Sequence, residues 1–466
     1  MNTFTNGIEL RQLRKGIGLS QSKLSEITGL VQAKISAYEL GKNGLSDGEK
    51  AVIGKTISGL DKHSLKKLKI KRYQKHVRNG NTLANRTRRS YAIIDRSNEY
   101  LSLLKELEAN FSKPLHFSAP NALSFFAGCG GLCYGIKAAG FKIFGASEIH
   151  EGFRKIHSIN FPDTIQLRND LRQFSEKDCE SILKRSGSIA LMIGGPPCQG
   201  FSLTGKRDPQ DERNTLFSDY LRIAKSIMPQ VILMENVKLL TSMKDPNGHL
   251  VTERILSEFS RIGYDSNFFC VNAKCYGVPQ HRERVVFIAT NKETKKKPSI
   301  PEPEFAEQAD IFGLTKPFFT FGDAVSDLEF IESGEKSKKD KLHEAVSHPE
   351  HVIEWLIDVP EGSSAHENKD PNLRPPSGYN TTYKRQVWNE PGATVGTTFA
   401  MISGCRNVHP IATRSITTRE ALRLQGFPDS FKFTGKTGDI RTAIGNAVPP
   451  ILAYALGMHI LKTYIL

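Results

Sequence analysis

The chain has 466 residues, of which 38% are hydrophobic and 24% are charged, a balance typical of soluble globular proteins. No stretch approaches the roughly 18 apolar residues that a membrane span needs, and the N-terminus lacks the apolar core of a signal peptide. We therefore expect a cytoplasmic protein with no membrane partner. The seven cysteines contain no pair with the spacing of zinc ligands, so we predict neither a disulfide framework nor a metal site. A chain of this length is expected to form two or three domains.

The net charge of +15 is concentrated in the N-terminal part of the chain. Eleven basic residues and no acidic residue lie between Lys62 and Arg89. Such a block is typical of a surface that binds a polyanion, and nucleic acid is the commonest polyanion available to a cytosolic protein. The alternative interpretation is a solvated flexible linker.

Residues 8–45 are predicted to form short helices joined by glycine turns. Ser20 can cap a helix over Gln21–Thr28, whose inner face is expected to carry Leu24 and Ile27. A second helix is predicted near Gln32–Tyr38, after a turn that a glycine permits. Two short helices joined in this way are the pattern of a helix-turn-helix.

This stretch resembles the repressor-like helix-turn-helix family, in which the second helix enters the major groove of DNA. The resemblance implies that Gln32, Lys34 and Ser36 face DNA. Any small helical bundle could give the same pattern, and the neighbouring basic run is what favours DNA binding.

From residue 121 onward, short apolar strands alternate with helical segments. The alternation predicts an α/β domain with a doubly wound, mainly parallel sheet. The predicted strands are, in chain order, ALSFFAG, KIFGASE, IALMIGG, VILMENV, DSNFFCVNA and RVVFIAT. Residues 90–112, before them, are predicted to form one helix. The alternation stops after Asn291, and residues 291–408 show no clear repeat.

The segment SFFAGCGGLCYGI joins the first of these strands to a helix through a glycine-rich turn. Glycines there let the backbone approach a ligand closely at a helix N-terminus. Twenty residues beyond Gly128, Glu148 ends the next strand, where an acidic side chain can hold the two hydroxyls of a ribose. Asp170 follows a third segment and could reach the adenine side. The combination favours an adenosine-type cofactor over a turn that serves only packing.

The segment GGPPCQGFS places a cysteine just past the end of a strand, where doubly wound sheets bind their ligands. Pro196 and Pro197 fix the φ angles before Cys198, whose thiol is a candidate nucleophile. Glu235 ends the next strand at the same crevice. A lone cysteine is more often a small buried hydrophobe. The acid, together with the arginines of QHRER at residues 280–284, favours chemistry instead.

These motifs together resemble a DNA cytosine carbon-5 methyltransferase of the bacterial restriction–modification type, over residues 121–290 and 379–466. The similarity lies in FAGCGG, GGPPCQGFS, ENV, QHRER, TTREALRLQGFPDSF and AIGNAVPP, which occur in the family's order. The resemblance implies the S-adenosylmethionine methyltransferase type of α/β fold, with a smaller DNA-reading domain and an all-α N-terminal helix-turn-helix domain. It also implies S-adenosylmethionine as cofactor and duplex DNA as substrate.

The resemblance further implies the roles of individual residues. Cys198 is the nucleophile, Glu235 holds the cytosine ring nitrogen, and Arg282 contacts the base beside them. Gln280 and Arg284 complete the catalytic set. The implied cofactor contacts are Phe126, Gly128, Gly130, Gly131, Glu148, Ile149, Asp170, Leu171, Pro196, Asn446 and Ala447. Ile149 stands where the family often has Trp, so the packing around adenine is expected to differ.

The patterns divide the chain into five predicted segments. These are a helix-turn-helix domain over 1–60, a basic helical linker over 61–118, a catalytic and cofactor-binding domain over 119–290, a target-recognition region over 291–410, and closing motifs over 411–466. We expect an enzyme of the bacterial cytoplasm, associated with the nucleoid, whose functional partner is a restriction endonuclease. It is expected to act as a monomer, and its N-terminal domain could dimerise on an operator and repress its own operon. The alternatives are a transfer-RNA cytosine methyltransferase, and a transcription regulator whose methyltransferase part is secondary.

Overall fold

A computed structural model of the chain describes residues 4–16, 19, 21–42, 44–59, 95–197, 213–245, 248–308 and 314–466. The chain divides into two compact units, Met1–Arg86 and Thr87–Leu466. The predicted helix cap Ser20, the whole basic run from Lys62 to Arg89 and the predicted nucleophile Cys198 lie outside the described residues.

The first unit is helical, as its sequence predicts. Its helices are α1 (Gly7–Gly16), α2 (Gln21–Thr28), α3 (Gln32–Glu39) and α4 (Asp47–Ser58). Leu24, Ile35 and Tyr38 belong to its buried apolar core. The prediction for Ile27 is wrong, because this side chain is 40% exposed. The buried face of α2 is centred on Leu24, and a residue three positions later lies about 60° away around the helix, at the edge of that face.

A buried ion pair joins the first and third helices of this unit. The Arg14 guanidinium donates from Nε to Glu39 Oε1 at 2.7 Å and from a terminal nitrogen to Glu39 Oε2 at 2.8 Å. Gln21 donates to the same carboxylate at 2.7 Å. The contact therefore fixes α3, the predicted DNA-facing helix, against α1 and the start of α2.

The second unit is built on a seven-stranded sheet with the order β3-β2-β1-β4-β5-β7-β6. The first five strands in the chain pair in parallel, whereas β7 runs antiparallel to both of its neighbours. This mainly parallel, doubly wound sheet confirms the predicted fold class. The strands are β1 (Asn121–Phe125), β2 (Lys142–Ser147), β3 (Ile165–Gln166), β4 (Leu191–Gly194), β5 (Val231–Val237), β6 (Tyr264–Asn272) and β7 (Glu283–Asn291).

Both faces of the sheet are buried. Along β4, Leu191 and Ile193 belong to one hydrophobic cluster and Met192 to the other, because successive side chains of a strand point to opposite faces. A strand buried on both faces needs apolar residues at every position, which explains why the predicted strands are continuous apolar runs. The helices of this core are α5 (Asp95–Ser112), α6 (Gly131–Ala138), α7 (Glu151–Asn160), α8 (Glu176–Ser186), α9 (Arg213–Ile227) and α10 (Val251–Arg261).

Helix α5 is part of the core of the second unit. Tyr100, Leu104 and Leu107 are buried in its larger hydrophobic cluster, and Phe111 stacks on Tyr134 with ring centroids 3.9 Å apart. This helix falls within the segment predicted as a linker, so its packing shows that residues from 95 onward are held by the catalytic core. The other predicted domain bounds stay predictions.

The chain returns to the sheet at its C-terminus. After the short strands β8 (Phe305–Ala306) and β9 (Lys316–Pro317) come the helices α11 (Phe321–Val325), α12 (Glu350–Leu356), α13 (Thr418–Leu424), α14 (Thr437–Asn446) and α15 (Pro450–Ile460). Helix α15 packs closely on α6, since a methyl group added to Gly135 would lie 2.4 Å from the carbonyl oxygen of Pro450. Residues 411–466, the closing segment, thus complete the catalytic core.

Within the described part of the chain, no single helix is long and apolar enough to cross a membrane. One pair, Thr437–Asn446 with Pro450–Ile465, passes the test for length and composition only when taken together, and it is bent by 42°.

Candidate active site

A cavity of about 730 Å³ opens at the carboxyl ends of β1, β4 and β5. Its wall is formed by the turn after β1, the end of β2, the loop after β4, the end of β5, the start of β7 and the closing segment. The carboxyl edge is where doubly wound sheets bind ligands, and the volume is within the usual range for a small-molecule site.

The glycine-rich turn after β1 has backbone angles that few side chains tolerate. Phe126, Gly128 and Gly130 have φ values of +54°, +57° and +101°. Gly131 begins α6, and a methyl group on it would lie 2.4 Å from the carbonyl oxygen of Val448. The glycines therefore serve two purposes: they allow the left-handed turn, and they let the closing segment approach the start of the helix.

Glu148 holds a fixed position at the end of β2. Its Oε2 accepts a hydrogen bond from the Gly128 N–H and its Oε1 accepts one from the His150 N–H, both at 2.8 Å. Each carboxylate oxygen can accept a further hydrogen bond, so the side chain can also bind two hydroxyl groups in the cavity.

The predicted cofactor contacts divide into two sets. Those that line the cavity are Phe126, Gly128, Gly131, Glu148, Pro196, Asn446 and Ala447. Gly130, Ile149, Asp170 and Leu171 do not line it. The Ile149 side chain is 62% exposed, and Leu171 is buried in the core. Asp170 is paired with Arg172 at 2.8 Å, and hydrogen bonding by that arginine lowers the pKa of the Asp170 carboxyl.

Glu235 and Arg284 form an ion pair inside the cavity. Glu235 is on β5 and Arg284 on the antiparallel strand β7, where it pairs across from Val237. Arg284 Nε lies 2.8 Å from Glu235 Oε1, with the side chains 13% and 15% exposed. Burial raises the pKa of Glu235, while the charges of Arg284 and Arg282 act in the opposite direction. The raised pKa makes the protonated form of this carboxyl easier to reach, which suits a proton donor.

Arg282 has a different environment from Arg284. It is 1% exposed and donates to the carbonyl oxygens of Val395 at 3.1 Å and of Gly445 and Ala447 at 2.9 Å each. Among the described residues, Arg284 rather than Arg282 is the arginine that pairs with Glu235. Arg282 is thus held by Val395 and by the closing segment while it lines the cavity beside Glu235, and its predicted contact with the base stays a prediction.

Gln280 is fully buried beside it. Its amide donates to the carbonyl oxygen of Leu424 and to the side chain of Gln425, both at 2.8 Å, and its oxygen accepts from the Val395 N–H at 2.8 Å. Gln280 and Arg282 thus hold the closing segment in place, and Arg282 also forms part of the cavity wall.

The loop that leads to Cys198 is anchored to β5. Asn236 Nδ2 donates to the carbonyl oxygen of Pro196 at 2.8 Å, and both residues are buried. Pro196 and Pro197 line the cavity. Cys198 itself is outside the described residues, so its predicted position stays a prediction. The sequence analysis missed Asn236, although it is the middle residue of the ENV motif.

Further cavity residues were also missed. Val237, Leu239 and Met243 form an apolar wall beyond Glu235, and Leu239 is 68% exposed. The sequence carries little signal for them, because an apolar residue after a strand is usually part of a core.

In the first unit, α3 carries the residues predicted to face DNA. Gln32 and Lys34 are exposed and Ser36 is partly exposed. The Lys34 ammonium pairs with Glu49 Oε1 at 2.6 Å, and hydrogen bonding by Lys34 lowers the pKa of Glu49 to about 2. The structure therefore places all three residues at the surface, with Lys34 already engaged by the N-terminal turn of α4.

The fold and the cavity define a class of protein: an α/β enzyme that binds an adenosine-type cofactor at the carboxyl ends of a doubly wound sheet. The sequence model of the C-5 cytosine-specific DNA methylase family matches residues 121–462. The chain belongs to this family. It is a DNA cytosine-5 methyltransferase, and its cofactor is S-adenosylmethionine.

Several known proteins are similar to this chain. The type II methyltransferase M.DdeI of Desulfomicrobium norvegicum is 31% identical over 379 residues, which cover 73% of this chain and 88% of that protein. The type II methyltransferase M1.HphI of Haemophilus parahaemolyticus is 33% identical over 346 residues, covering 73% and 86%. A prophage-encoded Escherichia coli protein, assigned as a DNA modification methyltransferase, has a crystal structure that matches with a TM-score of 0.57 at 25% identity, covering 74% and 99%.

The residues of the cavity fit S-adenosylmethionine. The glycine turn leaves the backbone open to the ligand at Gly128, where an added methyl group would contact nothing within 4 Å. Glu148 presents a fixed carboxylate on the same wall, as a ribose requires.

Proposed function

We propose that the protein methylates carbon-5 of a cytosine within a specific sequence of duplex DNA, through a covalent adduct between Cys198 and the base. The observation that carries this proposal is the partly buried Glu235–Arg284 pair, which shares one cavity with Glu148 and with the two prolines before Cys198. The arrangement puts an acid for the base and a carboxylate for the cofactor in the wall of the same space.

Carbon-5 of cytosine is a poor nucleophile, and the proposed residues correct this. The Cys198 thiolate adds to carbon-6, and the electron pair of the 5,6 double bond shifts through carbon-5 and carbon-4 towards the ring nitrogen. Glu235 donates a hydrogen bond or proton to the ring nitrogen and so stabilises the charge that develops there. Arg284 orients the Glu235 carboxyl. Carbon-5 then bonds to a methyl group, a base removes the proton from carbon-5, and the thiolate leaves as the double bond re-forms.

When it is bound, S-adenosylmethionine supplies the methyl group as an electrophile, and the sulfur–methyl bond that breaks leaves S-adenosylhomocysteine. Glu148 would hold its ribose hydroxyls, the backbone at Gly128 and Gly131 would lie against it, and Asn446 and Ala447 would close the wall from the other side. Ile149, at the surface beside Glu148, would cover the adenine in place of the family's Trp. Asp170 would reach the adenine only if the Arg172 side chain moves aside.

The target base must leave the duplex to reach this cavity, because its carbon-6 is inaccessible inside the helix. The rigid Pro196–Pro197 loop and its anchor on Asn236 would hold the thiol at attack distance, so that less entropy is lost in the reaction. We assign selection of the DNA sequence to the region over 291–410.

The test combines labelled cofactor with unmethylated genomic DNA or with transfer RNA. Wild type should label DNA and not transfer RNA. Cys198→Ser should abolish transfer while cofactor binding stays within a few-fold. Cys270→Ser is the matched control, because this exposed thiol does not line the cavity, and it should keep wild-type activity. DNA with 5-fluorocytosine should trap wild type covalently, since fluorine cannot leave as the proton does. Turnover near wild type in Cys198→Ser would disprove the mechanism.

We further propose that the first unit binds an operator upstream of its own gene, as a dimer on two half-sites about one helical turn apart. Its support is the exposed side of α3 and the basic run after it. In this scheme the enzyme works in the bacterial cytoplasm, as a monomer on its target sites, and protects DNA from a partner restriction endonuclease.

A deletion of residues 1–90 tests the operator proposal. The deletion ends before Asp95 because α5 supplies Tyr100 and Leu104 to the catalytic core. The truncated protein should methylate normally and lose a palindromic footprint upstream of the gene, and Gln32→Ala should lose the footprint in the full chain. Wild-type binding should weaken steeply with salt. Loss of methylation by the truncated protein, with no footprint by wild type outside its methylated sites, would make this unit an accessory to catalysis.

A further inference from the structure

Two turns before the closing segment lie side by side. The Thr382 N–H donates to the Tyr379 carbonyl at 2.8 Å in one turn, and the Gly404 N–H donates to the Met401 carbonyl at 3.0 Å in the other. A bridge pairs Thr382 with Cys405, and the Arg406 N–H donates to a carbonyl of the first turn at 3.0 Å. We call residues 379–383 and 401–406 the two-turn platform.

The platform rests on a buried arginine. Arg385 is 1% exposed, and its guanidinium donates to the carbonyl oxygens of Leu356, His409 and Ala412 at 2.9, 3.0 and 2.7 Å. Asn407, also buried, donates to the Met401 carbonyl at 2.9 Å. A charged donor with several carbonyl partners in the interior keeps the backbone below the turns from shifting.

The outer side of the platform displays an unusual set of exposed side chains. Tyr379 is 80% exposed and Met401 is 56% exposed, and Cys405 and Arg406 are exposed beside them. Among the described residues, no carboxylate forms an ion pair with Arg406. Arg414, in contrast, is buried and paired with a glutamate.

Arg406 also has a strained backbone. Its φ is +52°, in the left-handed region, where a residue with a side chain costs of order 1 kcal/mol. Such outliers cluster at functional sites, because the surrounding structure must hold them. The β-bridge at Cys405 and the buried side chain of Asn407 hold Arg406 on both sides. The direction of the Cα–Cβ bond of Arg406 is therefore fixed.

The platform is joined to the wall of the active-site cavity by a short chain of contacts. Asn407, next to Arg406, donates to the Thr398 carbonyl oxygen at 3.0 Å, and a methyl group added to Gly445 in the cavity wall would lie 2.4 Å from the Thr397 nitrogen. Burial and the charge of Lys274 lower the pKa of His281, and the charge of Arg406 acts in the same direction. His281 is next to Arg282, which lines the cavity, and its carbonyl accepts the Thr394 hydroxyl. Residues beside Arg406 are therefore in contact with segments that form the cavity wall.

We propose that Arg406 recognises a guanine of the target sequence in the major groove, with Tyr379 and Met401 in contact with the neighbouring bases. The inference rests on the proposed function, that is, on duplex DNA as the substrate. An arginine can donate two parallel hydrogen bonds to O6 and N7 of guanine, a pattern that no other base offers. Apolar side chains beside it suit the thymine methyl group.

The test starts by mapping the wild-type target in methylated genomic DNA. Rates are then measured on duplexes that carry every single-base change in that target. Arg406→Asn removes the guanidinium while keeping a residue that tolerates a left-handed backbone. Arg406→Lys keeps the charge and removes the planar fork. Arg185→Ala is the control for the loss of one positive charge. Arg185 is exposed near the C-terminal end of α8, which leads to the start of β4, whereas the cavity lies at the carboxyl ends of the strands.

Both Arg406 variants should lose discrimination at one guanine position, by roughly 5- to 140-fold in relative rate, and keep it elsewhere. Arg406→Lys should keep the wild-type salt dependence, and the KM for the cofactor should stay unchanged in both. Unchanged discrimination at every guanine in the two variants would overturn the proposal, as would an equal loss at all positions. A wild-type protein that methylates no duplex DNA would instead refute the proposed function.

Discussion

Replacing Arg282 by Met removes a buried guanidinium and leaves most of its stem volume in place. Three carbonyl oxygens, those of Val395, Gly445 and Ala447, lose their donor. A hydrogen bond to a charged group contributes about 1.5–3 kcal/mol, and bonds that share one side chain are less than additive. We expect the second unit to lose about 3–5 kcal/mol of unfolding free energy, the range found when one partner of a buried charged interaction is removed.

Urea unfolding followed by tryptophan fluorescence measures this loss. Both tryptophans of the chain, Trp355 and Trp388, are in the second unit, so the signal reports that unit alone. Arg284→Met is the matched control. Its ion pair with Glu235 faces the cavity, and burial already raises the pKa of Glu235, so that this carboxyl can take up a proton when the arginine is lost. We therefore expect a smaller loss of stability than in Arg282→Met but a strong loss of methylation.

The opposite pattern would refute the scaffold role of Arg282. If Arg282→Met unfolds at the wild-type urea concentration, keeps its affinity for the cofactor and yet fails to methylate DNA, the arginine acts on the base instead. The original expectation from the sequence would then be right, and the contacts with the closing segment would be incidental.

Three further outcomes are expected. Glu148→Ala should weaken cofactor binding at least tenfold in calorimetry, because each lost hydrogen bond to the carboxylate costs about 1.5–3 kcal/mol. The control, Glu151→Ala on the neighbouring helix, should leave cofactor binding unchanged. Gly131→Ala should cost about 1–3 kcal/mol or more in thermal unfolding, since the added methyl group would lie 2.4 Å from a carbonyl oxygen of the closing segment. Gly438→Ala, which meets nothing within 4 Å, should be neutral or stabilising. Burial lowers the pKa of the His157 imidazole from 6.5 to about 4. Between pH 6.5 and pH 4 the unfolded chain therefore binds a proton that the folded chain does not, and the free energy of unfolding falls by about 3 kcal/mol over this interval. His157→Phe should show a smaller fall over that interval, and an identical pH dependence would contradict the assignment.

The strands, the glycine turn and the two helices of the first unit could be predicted from the sequence because each depends on a short stretch of chain. Leu191 to Gly194 are apolar at every position, which a strand buried on both faces requires. Gly29 and Gly41 end α2 and α3 with φ values of +71°, as glycine most readily does. The motifs around Cys198 and Glu235 were also local, and their order along the chain was enough to indicate the family.

The partners of the buried polar groups could not be predicted in this way. Gln280 and Arg282 were expected in the catalytic set, and the structure gives them hydrogen-bond partners that are 113 to 165 positions away in the chain. Which arginine meets Glu235 depends on where β7 begins and on how the closing segment packs against it. Arg406 gave no sequence signal at all, because its exposure and its left-handed backbone arise only when two distant turns lie side by side. A local pattern determines which elements form, whereas desolvation of a charged group depends on every segment packed around it, and that is decided by the tertiary structure alone.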